Sequence, residues 1–374
     1  MRPGNLRDQF PITATDAFLN HAAVAPISLR VRDAVTAHVT DLAQNGMKNI
    51  LDWVRGERET RALAAKLIGA TPEEIAFVSS TSHGLGLFAE GLAWKRSEEV
   101  AVCVSQEYPA NVYPWMHLKD KGVKIVEIPS RDGGVVLEDV QKVVTPKTRV
   151  VTVSAVQFGT GVRTDLAAIG EFCQASGILF CVDGIQQVGA FPLDVNAMHI
   201  DLLAADSHKW MLGLPGIGFA YVRASVLPRL RPALVGWKSV KNPLEFDRLK
   251  FDLREDAAKL ESGTQSFANI LGLGQALALL EGVGITAIAS HITDWLVEAE
   301  SALTQKGLRP GPTPGRRAGI LTFESPSGTP EAFMQKALAS RVHLSARRGR
   351  IRISPHLYSG ERELSALMDC VNKI

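Results

Sequence analysis

The chain has 374 residues, of which 46% are hydrophobic and 21% are charged, and its formal net charge is +2. This length exceeds what one ordinary hydrophobic core needs, so we expect two domains. The composition is that of a globular protein, and the nearly balanced charge gives no support for a nucleic-acid or membrane partner. The four cysteines are scattered without metal-ligand spacing, which predicts no metal site and reduced thiols in a cytoplasmic protein.

Seven apolar runs rich in β-branched residues predict strands, and helical patterns lie between several of them. The runs are EIAFVSS (74–80), EVAVCVS (99–105), VKIVEIP (123–129), RVVTVSAVQF (149–158), ILFCVDG (178–184), DLLAADS (201–207) and GIGFAYV (216–222). Near-continuous apolar strands that alternate with helices predict an α/β fold with a mostly parallel central sheet covered by helices. In such sheets ligands bind beyond the carboxyl ends of the strands.

The pattern changes after about residue 255. A long helical segment, roughly 267–306, leads to a hinge rich in Pro and Gly at 309–319. A strand, a helix, a strand pair (VHLSAR and GRIRIS) and a final helix follow, which predicts a smaller α+β C-terminal domain. We therefore divide the chain into an N-terminal segment (1–17), a large domain (18–255) and a small domain (256–374). The sequence leaves open which domain the N-terminal segment joins.

Polar residues cluster where the predicted strands end. They are Thr81, Ser82, Gln157, Asp183, Gln186, Ser207, His208 and Lys209. Singly, each has a structural alternative: STSHG could be a helix cap, VDG an Asx turn, and Lys209 a solvated loop charge. Because a doubly wound sheet brings its strand ends to one rim, the set as a whole favours a binding site.

Pyridoxal phosphate (PLP) catalysis requires this set of groups. It uses a lysine amine to form a Schiff base and a carboxylate to keep the pyridine nitrogen protonated. It also needs hydroxyls and backbone N–H groups at a helix N-terminus to hold the phosphate. Lys209 supplies the amine, Asp183 the carboxylate, and Thr81 and Ser82 open an apolar helix directly after a strand. Gln186 lies three residues after the aspartate and could reach the ring hydroxyl.

Three segments carry a family resemblance: VDGIQQVG, ADSHKWMLGLPGIGFAYV and ESGTQSFANILGLG. They resemble the PLP-dependent class V aminotransferases of fold type I. Within that family they are most similar to the branch of cysteine desulfurases, selenocysteine lyases and isopenicillin N epimerase. The resemblance runs from about Phe18 to ISPHLYSGERELSAL, nearly the whole chain.

The resemblance implies roles for the cofactor-binding residues. Lys209 would form the Schiff base, Asp183 would pair with the pyridinium nitrogen, and Gln186 would hydrogen-bond the ring oxygen. The phosphate would be held by Thr81, Ser82, Ser207 and His208. Thr264 would reach the phosphate bound by a neighbouring subunit, which implies a homodimer with shared active sites. The structural alternative for Thr264 is a cap on the helix that follows it.

The resemblance also implies a substrate end of the site. Strand alternation in GRIRISPH places Arg350 and Arg352 on one face. By position Arg352 would bind the substrate α-carboxylate, which the planar fork of arginine suits better than lysine does. The remaining substrate-binding residues would be Asn20, His21 and Gln157.

Two departures from the desulfurases bear on the chemistry. Tyr108 occupies the position where those enzymes place a histidine that stacks on the cofactor ring. A tyrosine also stacks, but it is a different acid–base group, and its structural alternative is a core residue. The segment HLSARRGRIRIS (343–354) contains no cysteine, whereas desulfurases place their nucleophilic cysteine on a loop there.

These features predict a PLP-dependent enzyme that acts on a small α-amino acid through an external aldimine. The missing loop cysteine favours aminotransferase or Cα/Cβ lyase chemistry over true desulfurase action. Cysteine desulfurase, selenocysteine lyase and amino-acid epimerase stay open as alternatives. A hypothesis from another class is a non-catalytic sensor of PLP or an amino acid.

Overall fold

The computed structural model describes residues 6–311 and 316–373, so residues 1–5 of the N-terminal segment and 312–315 of the predicted hinge lie outside it. The strands are β1 (Ala17–Phe18), β2 (Ile75–Val78), β3 (Glu99–Val102), β4 (Lys124–Glu127), β5 (Thr148–Ser154), β6 (Leu179–Asp183), β7 (Leu202–Asp206), β8 (Gly218–Val222), β9 (Leu321–Phe323), β10 (Val342–His343), β11 (Ser345–Arg347) and β12 (Arg350–Ile353). The α-helices are α1 (Leu29–Asn45), α2 (Ile50–Leu67), α3 (Thr81–Gly91), α4 (Tyr113–Met116), α5 (Leu137–Val143), α6 (Leu166–Ala175), α7 (Phe267–Val283), α8 (Ile285–Gln305), α9 (Pro330–Ala339) and α10 (Glu361–Asn372).

The central sheet has seven strands in the order β2-β8-β7-β6-β5-β3-β4. All its strands run parallel except β8, which is antiparallel to both of its neighbours. The predicted mostly parallel sheet and each of its seven strands are therefore confirmed. Because β6, β7 and β8 are buried along their whole length, they read as continuous apolar runs in the sequence.

The carboxyl ends of β5, β6 and β7 meet at one edge of the sheet. Ser154 pairs with Asp183, and Asp183 pairs with Ala204 two residues before the end of β7. Lys209 lies three residues after the end of β7. It begins a turn in which its carbonyl accepts a hydrogen bond from the Leu212 N–H. Parallel pairing therefore brings the aspartate and the lysine, 26 positions apart in the sequence, to the same rim.

Helix α3 begins at this rim because its first turn is capped and its body lies close to the sheet. The Ser80 hydroxyl accepts a hydrogen bond from the His83 N–H at 3.1 Å, which confirms the predicted helix cap. Gly84 faces β7 so closely that a Cβ at this position would lie 2.7 Å from the Cβ of Ala204. A glycine therefore lets the helix approach the strand and fixes its N-terminus beside the end of β7.

The segment predicted to be helical over 267–306 is helical, but it is divided into the two helices α7 and α8. Gly284 separates α7 from α8 with a left-handed φ of 90°, and the two helices meet at a bend of 77°. Helix α7 is largely buried and packs against α1 and α2. In the described part of the chain no single helix has the length and apolarity to cross a membrane, and only this bent pair meets the criteria, by length and composition alone.

The C-terminal part contains a three-stranded antiparallel sheet in the order β11-β12-β9. The N-terminal segment joins this part of the molecule, which the sequence left open. Strand β1 pairs in parallel with β10. Arg7 forms an ion pair with the buried carboxylate of Glu363 at 2.7 Å. The predicted domain boundaries at 17 and 255 stay predictions.

Candidate active site

A cavity of about 300 Å³ opens at the carboxyl edge of the central sheet. Its wall combines the strand ends, the first turn of α3, the loop before α4, the segment that follows β1 and the β11–β12 hairpin. The lining residues are Ala22, Ala23, Val24, Ser80, Thr81, Ser82, Tyr108, Ala110, Phe158, Asp183, Ile185, Gln186, Asp206, His208, Lys209, Arg347 and Arg352. Eight of the predicted site residues therefore lie on one cavity.

Lys209 and Asp183 face this cavity from neighbouring strand ends. Lys209 is only 9% exposed and forms no ion pair with any described residue, and burial lowers its pKa. Burial also raises the pKa of Asp183, whose Oδ1 accepts one hydrogen bond from the Ile185 N–H at 3.0 Å. The opposite charges interact across the cavity without direct contact, so a ligand placed between them would contact both.

The Lys209 turn and Gln186 are held in place by Trp210. The indole N–H donates to Oε1 of Gln186 at 2.8 Å, and Nε2 of Gln186 donates to the Ala22 carbonyl at 3.1 Å. His356 contacts the Trp210 carbonyl from the other side at 2.9 Å. These buried bonds fix the amide of Gln186 at the cavity wall.

One end of the cavity presents hydrogen-bond donors of the kind that an anion accepts. The Asp206 N–H donates to Oγ1 of Thr81 at 3.0 Å, which leaves the threonine hydroxyl hydrogen available to a ligand. Ser82 is exposed in the same first turn of α3, where backbone N–H groups lack helical partners. His208 Nδ1 lies 3.0 Å from Oδ1 of Asp206, yet neither buried atom makes a well-formed hydrogen bond.

Ser207 does not contribute to this end of the cavity. Its side chain is fully buried, and its hydroxyl donates to the Leu214 carbonyl at 2.9 Å. Gly213 packs directly against this hydroxyl, because a Cβ at residue 213 would lie 2.4 Å from Oγ of Ser207. The structure therefore places Ser207 as a support of the turn, in contrast to the predicted contact with phosphate.

Tyr108 lies over the cavity opening. Its ring centroid is 5.6 Å from Nζ of Lys209, and its ring packs edge-on against Phe158 at 5.2 Å. The side chain is 48% exposed, so the alternative of a core residue is wrong. A flat ligand that reaches Lys209 would lie within contact range of this ring.

Arg352 also lines the cavity and is only 2% exposed. Its Nε donates to Oγ of Ser345 at 3.1 Å and its Nη1 donates to the Phe158 carbonyl at 2.8 Å. Both acceptors are neutral, so no carboxylate compensates the guanidinium, and burial together with the charge of Arg347 lowers its pKa to about 9. The guanidinium has N–H groups left for an anion. Arg350 differs, because it bonds the Arg309 carbonyl outside the cavity.

In the hairpin that carries Arg352, the connection between the strands is too short for a loop that could present a nucleophilic cysteine. Arg347 pairs with Arg350 across a two-residue turn whose central residues, Arg348 and Gly349, have φ of 49° and 72°. Two positive φ angles are typical of the tight primed turns of β-hairpins. The four cysteines are free and buried, and burial raises the pKa of all four thiols. None of them lines the cavity.

Besides Ser207, four predicted site residues lie away from the cavity wall: Asn20, His21, Gln157 and Thr264. His21 is buried and its ring nitrogens contact the Ser354 carbonyl at 2.9 Å and the Tyr358 hydroxyl at 2.8 Å. Gln157 donates to Glu107, and its neighbour Phe158 reaches the cavity instead. Thr264 is exposed, and helix α7 is capped by Ser266, so the cap alternative for Thr264 is wrong.

Sequence reasoning missed Glu107, a buried carboxylate directly before Tyr108. It accepts hydrogen bonds from Asn111 at 2.8 Å, from the Ser154 N–H at 2.8 Å and hydroxyl at 2.5 Å, and from Gln157 at 2.8 Å. These bonds tie the Tyr108 loop to the end of β5. Burial raises the pKa of Glu107, and its charge in turn raises the pKa of Asp183. A lone Glu in a polar loop gave no sequence signal.

The residues fit PLP, since a lysine, a carboxylate and a helix N-terminus with a free hydroxyl face one cavity. This fold and this cavity define a PLP-dependent enzyme of fold type I. Comparison with known proteins agrees: residues 17–358 match the Aminotransferase class-V family. The chain belongs to the class V aminotransferase family, and its cofactor is PLP.

Individual relatives are distant in sequence. The chain is 28% identical to the uncharacterized aminotransferase YcbU of Bacillus subtilis, over 98% of this chain and 96% of that one. It is 27% identical to a probable cysteine desulfurase of Methanothermobacter thermautotrophicus, over 100% and 98% of the two chains. In structure it is similar to a lysine-to-alanine mutant of C-DES with glycine covalently linked to its PLP cofactor, with a TM-score of 0.92, 23% identity and 98% of each chain covered.

Proposed function

We propose that this enzyme acts on a small α-amino acid by aminotransferase or lyase chemistry that uses no cysteine of its own as a nucleophile. The observation that carries the proposal is the joint exposure of Lys209, Asp183 and Arg352 to one cavity. When bound, PLP supplies an aldehyde that combines with amines and a pyridine ring that accepts electron density from Cα. The remaining steps are performed by side chains of this chain.

Each side chain has a role that follows from its position. Asp183 would hold a proton on the ring nitrogen, and Gln186 and Tyr108 would hold the ring. Thr81, Ser82, His208 and the first N–H groups of α3 would hold the phosphate. At the other end, the Arg352 guanidinium binds the α-carboxylate and orients the substrate.

Lys209 would hold the cofactor through its amine, and the same amine is placed to move protons at Cα of the substrate. Burial and the charges of Arg352 and Arg347 lower its pKa, while Asp183 and Asp206 act in the opposite direction. The net lowering increases the fraction of neutral amine, which is the form that attacks an aldehyde and accepts a proton.

The tight β11–β12 turn supports a reaction without an enzyme-bound persulfide. The relatives named as desulfurases favour carbon–sulfur chemistry, so desulfuration of cysteine is the second candidate. Elimination would convert cysteine and water to pyruvate, ammonia and sulfide, with no thiol from the enzyme. Desulfuration would instead give alanine and pass sulfur to a thiol. Selenocysteine cleavage and epimerisation at Cα use the same binding groups.

A product panel separates these reactions. PLP-loaded enzyme is incubated with single amino acids, with and without an α-keto acid, and pyruvate, new amino acids, alanine, sulfide and D-enantiomers are measured. We expect keto acids or transaminated products, none of them in the Lys209→Ala control. Alanine formed together with a persulfide trapped on Cys103 or any other cysteine of the chain would contradict the proposal.

We further propose a homodimer in the cytoplasm. Thr264 is exposed. The neighbouring Gly263 lies close to Trp237, because a Cβ added at residue 263 would lie 3.7 Å from Nε1 of that tryptophan. The same region exposes large apolar side chains, each at least 44% accessible: Leu234, Val235, Trp237, Leu244, Phe246, Leu249 and Phe251. Monomers rarely expose so many, which supports a subunit interface near Thr264. The free, buried cysteines support the cytoplasmic location.

The dimer has a direct test in solution. Sedimentation equilibrium is expected to give twice the 40.4 kDa mass of the chain. Thr264→Val is expected to leave this mass unchanged but to weaken PLP retention, because it removes a hydroxyl that reaches the partner's phosphate. Phe246→Asp, at the apolar surface, is expected to give monomers. A wild-type monomer with full PLP occupancy would contradict the shared site.

A further inference from the structure

Arg347 is a cationic side chain on the cavity wall to which the proposed function assigns no ligand. It is the last residue of β11 and is exposed, and its Nη1 donates to the carbonyl of Ala346 at 2.8 Å. Within the described residues it forms no ion pair with a carboxylate, whereas Arg350 across the hairpin lies 3.7 Å from Glu324. Arg347 therefore presents a charged guanidinium to the cavity.

The hairpin fixes the position of this guanidinium relative to Arg352. Ser345 pairs with Arg352 and Arg347 pairs with Arg350, so the four side chains lie on one face of the two strands. Arg347 and Arg352 are diagonal neighbours, a spacing of roughly 7–8 Å in antiparallel pairs. Two arginines thus line one wall of the cavity at separate points.

The turn itself is anchored, which makes the arrangement rigid. Arg348 donates to the Ser105 carbonyl at 2.8 Å and to Oε1 of Gln106 at 3.2 Å, and its guanidinium lies 5.3 Å from the Phe158 ring centroid. These contacts connect the hairpin to the loop that carries Tyr108. Arg347 is therefore held next to the opening of the cavity.

A charge count shows that Arg347 lacks a counter-ion in the proposed complex. The phosphate is assigned to α3 and His208, and the α-carboxylate to Arg352. The carboxylates that line the cavity are Asp183, which faces the ring nitrogen, and Asp206, which lies beside His208. A neutral side chain on the substrate would leave the second guanidinium without an anion.

We infer that the natural substrate is an α-amino acid with an acidic side chain, whose anionic group is bound by Arg347 while Arg352 binds the α-carboxylate. The inference rests on the proposed function and adds the substrate class. A carboxylate, sulfinate or phosphate ester satisfies the same requirement, because each offers two oxygens to a planar guanidinium.

The test measures binding from the absorbance change of the PLP-loaded protein. Isosteric pairs are titrated, L-aspartate against L-asparagine and L-glutamate against L-glutamine, and L-cysteine sulfinate and L-phosphoserine distinguish the anionic groups. We expect at least one acidic amino acid to bind about 10- to 100-fold more tightly than a neutral counterpart, as charge-assisted hydrogen bonds allow. Arg347→Gln is expected to bring this ratio close to one without weakening the neutral amino acids.

Two further variants keep the result interpretable. Arg350→Gln is the matched control on the same hairpin and is expected to preserve the acidic preference. Arg347→Glu is expected to reverse this preference, so that neutral amino acids bind more tightly than acidic ones. Thermal unfolding of each variant checks that it is folded.

Equal affinity for acidic and neutral amino acids in the wild type would overturn the inference alone. Arg347→Gln weakening all amino acids to the same extent would overturn it too, since Arg347 would then bind the α-carboxylate. If no amino acid changes the cofactor absorbance, both the inference and the proposed function are rejected.

Discussion

Lys209→Ala is expected to abolish the covalent attachment of the cofactor and to lower turnover by roughly three orders of magnitude. The reason is that Lys209 is the one lysine on the described cavity wall. Treatment of the wild type with borohydride should fix the cofactor to the peptide that contains Lys209, and mass spectrometry identifies that peptide. The variant should bind PLP and release it on denaturation.

Lys259 is an internal control for this experiment. It is also buried, with 6% exposure, but its Nζ donates to the Leu227 carbonyl outside the cavity. It should carry no cofactor in the wild type or in the variant. Attachment to Lys259, or unchanged turnover of the Lys209→Ala protein, would refute the assignment.

Arg352→Lys is expected to weaken binding of all α-amino acids by roughly 100-fold, or about 2.7 kcal/mol. Lysine keeps the charge but lacks the fork that contacts Ser345, Phe158 and a carboxylate at the same time. Cofactor occupancy should not change, because the phosphate and ring contacts lie on other elements. Titration of the cofactor absorbance with L-alanine and with an acidic amino acid measures both affinities.

Arg350→Lys is the matched control, since Arg350 lies two residues away on the same strand and bonds outside the cavity. It should bind amino acids as the wild type does. If Arg352→Lys retained wild-type affinity, the α-carboxylate would have to bind elsewhere. Loss of PLP from the variant would show that Arg352 supports the cofactor and not the substrate.

Much of the fold and the cofactor end of the site was predictable from sequence. Buried parallel strands give unbroken apolar runs, and their carboxyl ends must share an edge, so Asp183 and Lys209 could be expected near each other. The cap at Ser80 followed from its residue type and position. These features depend on local pattern and on one general property of parallel sheets.

The substrate end was less predictable, because it depends on side-chain direction and long-range pairing. Gln157 and Phe158 are adjacent, and only the structure shows that the second one reaches the cavity. Ser207 follows the same strand as Lys209, but its hydroxyl turns toward Leu214. The N-terminal residues enter the wall through pairing with residues more than 320 positions away, for which a single sequence carries no signal.

The close contact between Gly84 and Ala204 holds helix α3 against the sheet, so the two ends of the cavity differ in how freely their residues can vary. The end that we propose for the phosphate is built on helix α3, which packs tightly against the sheet, so substitutions there would disturb the core. The other end carries the turn of the β11–β12 hairpin, whose residues Arg347, Arg348 and Gly349 are exposed. Selectivity for new amino acids could therefore be engineered at the hairpin while the cofactor platform stays intact.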